Sequence, residues 1–349
     1  MLTSPAHDVA ERPPTRARRS RRATVVLAGA LLLLAAVVAA SLLLGVRSVD
    51  PAKVWTALVP SAPGHDLGDP DQSVVAQLRV PRTVLGLLAG LALGCVGTVI
   101  QGVTRNPIAD PGLLGITPGA SLAVVSAVSF AGVTTPLGFV WFAFLGAALA
   151  ALVVFSIGRA QPVRLALVGA ALTAFVTPVI ALVLLRDVNA FNQYRFWAVG
   201  SLTGRGLETA EALWPFLVVG VLLAAVLAPR LTLLAMGDDV ARALGQNVGL
   251  TRAMAAATIV LLAGTATAFA GPIALVGLVV PHAARRLVGT DYRWITPLAA
   301  LLGPVVLLGA DVVGRLVVPG SEIEAGVVAA FIGAPVLIAV ARGRSVAGV

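Results

Sequence analysis

The sequence predicts an all-α, polytopic membrane protein with about ten transmembrane helices. Three observations carry that prediction. Hydrophobic residues make up 58% of the 349-residue chain and charged residues only 12%, roughly half the charged share of a soluble domain. The mean hydropathy is +0.96. Apolar runs long enough for a hydrocarbon core of ~30 Å recur from end to end. They are continuous rather than alternating, which argues against a membrane β-barrel. The ten segments are about 24–45, 83–103, 113–132, 136–157, 164–185, 211–230, 252–271, 274–289, 296–314 and 325–341.

Residues 1–23 form an Arg-rich tail, and 24–345 read as a single transmembrane domain. Arg12, Arg16, Arg18, Arg19, Arg21 and Arg22 precede the first apolar run, and such a cluster is retained inside the cell. Ser20-Arg21-Arg22 has the look of an export signal, but Thr24–Gly45 is longer than a signal h-region of about 7–15 residues and spans a bilayer. With the N-terminus inside, the basic residues divide 17 inside and 8 outside, as positive-inside topology requires. An even number of spans puts both termini on the cytoplasmic side. The outside set is Arg47, Lys53, Arg79, Arg82, Arg186, Arg195, Arg205 and Arg315, more than topology alone favours.

The connections differ in character. Ser48–Gln77 is an external loop rich in Pro, Gly and Asp, with a short helix expected at Ala52–Leu58. Gln101–Gly112, between the second and third spans, holds Arg105, Asn106, Asp110 and two prolines. Pro107, Pro111 and the flanking glycines rule out continuous helix. Irregular backbone beside a membrane is tolerated only where protein covers it or water reaches it, so this insert is a candidate lining for a polar path. Arg186–Arg205 gathers Phe191, Tyr194, Phe196 and Trp197, read as interfacial anchors, with cavity lining as the alternative. In the internal loop Leu231–Thr251, Gly237–Gly245 reads as a short helix. Asp238 and Asp239 sit near its N-terminal end, where the helix dipole favours negative charge, and Gly245 is placed to end it.

The chemistry is mostly exclusion. A net charge of +9 is explained by topology, and nucleic-acid binding is not expected. His7, His65 and His282 form no zinc spacing. Cys95, the one cysteine, excludes a disulfide within the chain and reads as a small core residue. A P-loop needs a lysine after its glycines, and the only lysine is Lys53 in Pro51-Ala52-Lys53-Val54. No standard ATP site is expected, so an ATP-driven process would need another subunit. Asp311 is the one acid well inside a predicted span and lies four residues before Arg315, on the same helix face. A structural ion pair and a proton relay are both open readings.

Ordered motifs then resemble the FecCD-type permeases, the membrane subunits of ABC importers for iron–siderophores, heme and cobalamin. They are Arg79-Val80-Pro81-Arg82-Thr83, Gly97 through Gln101-Gly102, and Arg105-Asn106-Pro107-Ile108-Ala109-Asp110-Pro111-Gly112-Leu113-Leu114-Gly115. Phe196-Trp197 with Gly200-Ser201-Leu202, Gly271-Pro272-Ile273, and Gly277 through Pro281-His282-Ala283-Ala284-Arg285 continue the match. Ala310-Asp311 with Arg315, Glu322 through Gly326, and Ile332-Gly333-Ala334-Pro335 complete it. The resemblance runs from about Leu78 to Arg342 and leaves out the tail.

The resemblance implies an inverted-repeat, type II ABC importer permease in a bacterial cell membrane. It acts with a second permease subunit (a copy or a paralogue), two cytosolic ATPase subunits and an extracytoplasmic binding protein. No cofactor or metal is bound by the chain, and ATP and Mg are used by the ATPases. Arg79, Arg82 and Arg315 match arginines that dock the binding protein. Asn106 and Ile108 match a cytoplasmic gate. Gly237, Ala241, Arg242, Leu244 and Gly245 match the coupling helix that meets the ATPase, with Gly237 and Ala241 small enough for close approach. A ferric siderophore is the expected cargo. An ion-coupled transporter using Asp311 is the competing reading.

Overall fold

A computed structural model describes residues 16–343, apart from Leu113, Thr134, Arg159 and Ala160. The tail as far as residue 15, with His7 and Arg12, and the internal arginines Arg159 and Arg344 lie outside the described residues.

The described residues are helical, with no strand among them. The chain runs α1 (Arg16–Leu43), α2 (Pro51–Leu58) and α3 (Pro70–Val74), then a π-helical turn (Val75–Arg79) leading into α4 (Val80–Thr104). It continues through α5 (Ile116–Ala131), α6 (Pro136–Gly158), α7 (Pro162–Arg186), α8 (Val188–Ala198) and α9 (Leu207–Ala235). After α10 (Asp238–Ala243) come α11 (Val248–Ala270), α12 (Val276–Val288), α13 (Tyr292–Val317) and α14 (Ala325–Gly343). Local chemistry sets many of the ends. Asp50, Asp69, Asp187, Asn247 and Asp291 each accept a backbone N–H in the first turn of the helix they precede, satisfying donors a helix start leaves orphaned.

Each of the ten predicted spans falls on a helix, but not all are of membrane length. Seven described helices are long and apolar enough to cross. α5 has 16 residues and α12 has 13, about 24 Å and about 20 Å at 1.5 Å per residue. The apolar part of α14, Ala325–Ala339, is also short. Each follows a non-helical connection, between α4 and α5 or between α11 and α12. A second difference concerns α8, which the sequence left as a loop of anchors. Trp197 is buried there and stacks on Tyr194 with centroids 5.8 Å apart, while Phe191 remains exposed.

α4 is the central element and packs along α13, α11, α9 and α12. Gly86, Gly90 and Gly94 recur every fourth residue and form a flat stripe. A Cβ on Gly94 would collide with the Ala299 carbonyl, one on Gly90 with Pro304, and one on Gly97 with the Gly277 carbonyl. Small residues let helix backbones approach this closely, and in lipid that packing is a main source of association energy. Cys95 lies buried in the same helix.

Gly94→Val forces a branched side chain into the Ala299 carbonyl and is expected to cost about 3 kcal/mol, the upper end of ordinary overpacking. Gly29→Val in α1, where nothing lies within 4 Å, is expected to be neutral. Melting temperature and monodisperse yield in detergent check both, and equal behaviour of the two variants would refute the packing role of the stripe.

Candidate functional site

The broken segment after α4 is built by its own polar side chains. α4 stops at Thr104 because Arg105 adopts a left-handed conformation, φ +50°. The Asn106 amide oxygen then accepts the Ile108 N–H at 3.1 Å, and the Asp110 carboxylate accepts the Gly112 N–H at 2.9 Å. Both are Asx turns, in which a side chain replaces the missing helical partner. Asn106 and Ile108 are half-buried, and Ala109, Asp110 and Pro111 are buried.

The same segment touches its counterpart. The Asp110 carboxylate also faces the backbone N–H of Leu275, which precedes α12 and adopts φ +70°. A carboxylate at a helix N-terminus is favoured by the helix dipole. A backbone amide, that of Gly112, satisfies Asp110, while Arg105 pairs elsewhere. Alongside, the buried Gln101 amide donates to the Gly277 and Leu278 carbonyls, each at 3.2 Å, and accepts from the Arg285 guanidinium. α4 and the start of α12 are therefore joined by backbone contact and by side-chain amides.

One signal for this junction was present in the sequence and was missed. Pro107-Ile108-Ala109 with Gly112-Leu113 recurs as Pro272-Ile273-Ala274 with Gly277-Leu278. Asp110 and Leu275 occupy equivalent positions in the two copies and meet in the structure. Two interrupted apolar segments in corresponding positions of two halves are the best sequence pointer to a transport path.

Arg105 points away from this junction and pairs with Asp238, the first residue of α10. Asp238 also pairs with Arg252 on α11 at 3.0 Å and with Arg242 at 3.6 Å. Burial, with Arg252 nearby, holds the Arg105 guanidinium below its usual range, and Asp239 offsets part of that. α10 begins at Gly237, φ +118°, and its last turn closes on Gly245, φ +81°, as the sequence placed it. Both conformations favour glycine. Ala241 is buried against the bundle, which corrects the reading that its small size serves an outside partner. Gly237 is needed for its backbone angle. Asp239, Val240, Arg242, Leu244 and Gly245 are exposed. A cavity of about 590 Å³ opens beside α10, lined by Arg230, Leu244, Gln246, Asn247 and Asp291 among others.

At the opposite end, the three sequence-singled arginines come together but turn inward. Arg79, Arg82 and Arg315 are only 4%, 7% and 4% exposed. Arg82 Nε donates to Asp311 Oδ1 at 2.8 Å, and its Nη1 pairs with Glu322 at 2.6 Å. Arg315 Nη2 pairs with the other Asp311 oxygen at 2.9 Å. Arg315 Nη1 also donates to the Ser41 and Leu44 carbonyls, while Arg79 donates to those of Leu42 and Leu43, each at 2.8 Å. Two arginines thus cap the C-terminal carbonyls of α1, where positive charge is favoured. Asp311 is 0% exposed and held by two guanidiniums, which resolves its open reading in favour of a structural ion pair. A cleft of about 450 Å³ lies over this cluster, lined by Arg47, Arg79, Arg82, Arg205, Arg315 and Glu322 among others. Arg205 donates to the Ala268 carbonyl at 3.0 Å, and burial brings it down to about 10.

Two interrupted helical halves, joined inside an apolar helix bundle and presenting a polar cluster at each end, define a polytopic membrane permease. The comparisons with known proteins carry this further. The model of the FecCD transport family matches residues 31–343, and the chain belongs to that family of ABC importer permeases. It is 42% identical over 314 residues to the ferric enterobactin transport system permease protein FepD of Escherichia coli, covering 88% of this chain and 92% of that one. It is 37% identical to a siderophore transport system permease protein, YfiZ, of Bacillus subtilis, covering 79% and 84%. It is 34% identical to the cobalamin import system permease protein BtuC of Halobacterium salinarum, covering 84% and 80%. A solved inward-facing conformation of a metal-chelate type ABC transporter superposes with a TM-score of 0.78 at 27% identity, covering 90% of this chain and 97% of that one.

Removing one partner of a buried charge pair strands the other. Arg82→Ala is expected to cost about 3–5 kcal/mol in stability, and a double-mutant cycle with Asp311→Asn to show about 1–3 kcal/mol of coupling. Unfolding in detergent measures both. Additive single effects would show that the pair does not hold this end together.

Proposed function

We propose that the chain is the permease subunit of a binding-protein-dependent ABC importer that moves a ferric siderophore, or a related metal chelate, into the cytoplasm. It works as a pair with a second copy or a paralogue in a bacterial cell membrane, with both termini and α10 on the cytoplasmic side. Two ATPase subunits, which use ATP and Mg, and an external binding protein complete the system. The observation that carries this reading is the segment 105–110. Its buried end joins the two interrupted halves at Asp110 and Leu275, and its other end is ion-paired to α10. That arrangement suits a gate at Asn106 and Ile108 driven from a coupling helix at Gly237–Gly245. The exposed Val240 and Leu244 and the adjoining cavity offer the ATPase its contact.

Arg79, Arg82 and Arg315 serve docking through the cleft they line. Its charges are mostly positive, which steers acidic groups of a partner toward it. Cobalamin or heme as cargo is the alternative within the same architecture. The ion-coupled reading is disfavoured by Asp311, which has no free oxygen for a relay: each is paired with a guanidinium.

Reconstitution in vesicles with the ATPase and binding protein tests the reading. Uptake of radiolabelled ferric enterobactin is expected to stop with vanadate and to survive collapse of the proton gradient. The reverse pattern would overturn it. Docking is tested at the exposed Arg47, because reversal at Arg82 also strands Asp311. Arg47→Glu is expected to slow binding-protein association about tenfold at low salt and much less at high salt. An unchanged rate at low salt would remove the steering role of the cleft.

A further inference from the structure

We propose that Arg105 is the link that transmits movement of α10 to the gate segment. This rests on the reading of α10 as the coupling helix and assigns Arg105 a positioning role within it. Asp238 is shared by three guanidiniums from three elements. Arg252 fixes it to α11, Arg242 lies within α10, and Arg105 belongs to the broken segment. Arg252 holds Asp238 against α11 without Arg105. Among the described residues, Arg105 alone carries the charge contact from α10 into the segment that contains Asn106 and Ile108.

The geometry gives this link leverage. Arg105 is the residue at which α4 ends, in a left-handed conformation, and it is followed directly by Asn106. The far end of the segment is anchored by the buried Asp110 at the start of α12. A displacement of α10 is therefore delivered to a short span fixed at one end and pulled at the other. The side chains of Arg105 and Asp238 are 33% and 23% exposed. A pair so placed can break and reform without the full cost of a buried ion pair. The turn itself does not need the guanidinium. Asn106 N–H donates to Thr104 Oγ1 at 3.3 Å, and the Asx turn at Asn106 remains. Arg105→Gln thus cuts the link and leaves both ends folded.

The test needs no knowledge of the cargo. Ile108→Cys introduces a thiol in the gate segment, and the native Cys95, 1% exposed, stays silent. The permease is assembled with its ATPase subunits in lipid vesicles. Maleimide labelling of the I108C variant is followed with and without ATP plus vanadate. With the native arginine, trapping is expected to change the labelling rate about tenfold, the size of an ordinary coupling between sites. Adding Arg105→Gln is expected to abolish that change while ATPase association and basal hydrolysis persist. Arg105→Lys is expected to restore most of it, and Asp238→Asn to cut the same link from the other end. A nucleotide response that persists in either R105Q or D238N overturns the link. Loss of assembly in both also overturns it, since the contact would then be a structural staple. If I108C does not respond even with the native arginine, the coupling-helix reading fails and the link fails with it.

Discussion

A peptide group outside a helix has no partner in hydrocarbon, so every break in a membrane-spanning chain must be covered by the rest of the protein. This chain breaks twice at depth, before α5 and before α12, and most of its packing serves those breaks. The glycine stripe on α4 brings α13 and the start of α12 against it at backbone distance. Gln101 occupies the carbonyls of Gly277 and Leu278, and Asp110 takes the N–H of Gly112 and faces that of Leu275. A larger residue at Gly97 would push α12 away and leave those groups without partners. The close helix contact is therefore the condition for irregular backbone at depth, and the irregular backbone is what a path requires.

Charge at the Arg82 end obeys the same logic. Asp311 alone would be prohibitive at 0% exposure; Arg82 reaches both of its oxygens, and Arg315 adds a second guanidinium at Oδ2. Two arginines from α4 and α13 close both oxygens, then spend their remaining donors on Glu322 and on the end of α1. α1 is otherwise a peripheral helix with little of its surface covered. Its terminal carbonyls are where it is fastened, and the fastening is why arginines stand where topology alone would not place them.

The sequence was legible wherever a single residue type decides the local outcome. Two prolines and an Arg–Asn pair marked the break after α4. Gly245 marked the end of α10, and hydropathy located all ten helical stretches. It was not legible where the outcome depends on a distant partner. Asp110 and Leu275 are far apart in the chain, and only the repeated Pro-Ile-Ala motif hinted that they correspond. The inward turn of Arg82 depends on Glu322 and Asp311, and the burial of Ala241 depends on how α10 lies on the bundle. The lengths of α5 and α12 were misjudged for a related reason. A continuous apolar run looks the same whether it is helix throughout or begins as covered, extended backbone.

The two interrupted segments are alike in course but not in charge. Where the first copy carries Arg105 and Asp110, the second carries Ala270 and Leu275. Two halves related by inversion would, if chemically identical, respond alike at the two ends of the path. Here only one segment has a charged handle at its start and a carboxylate at its core. The carboxylate is used across the pseudo-symmetric contact, where it caps the uncharged copy. The handle is used outward, on α10. The asymmetry gives one segment a charged contact with α10 that the other, with Ala270 at the equivalent position, lacks.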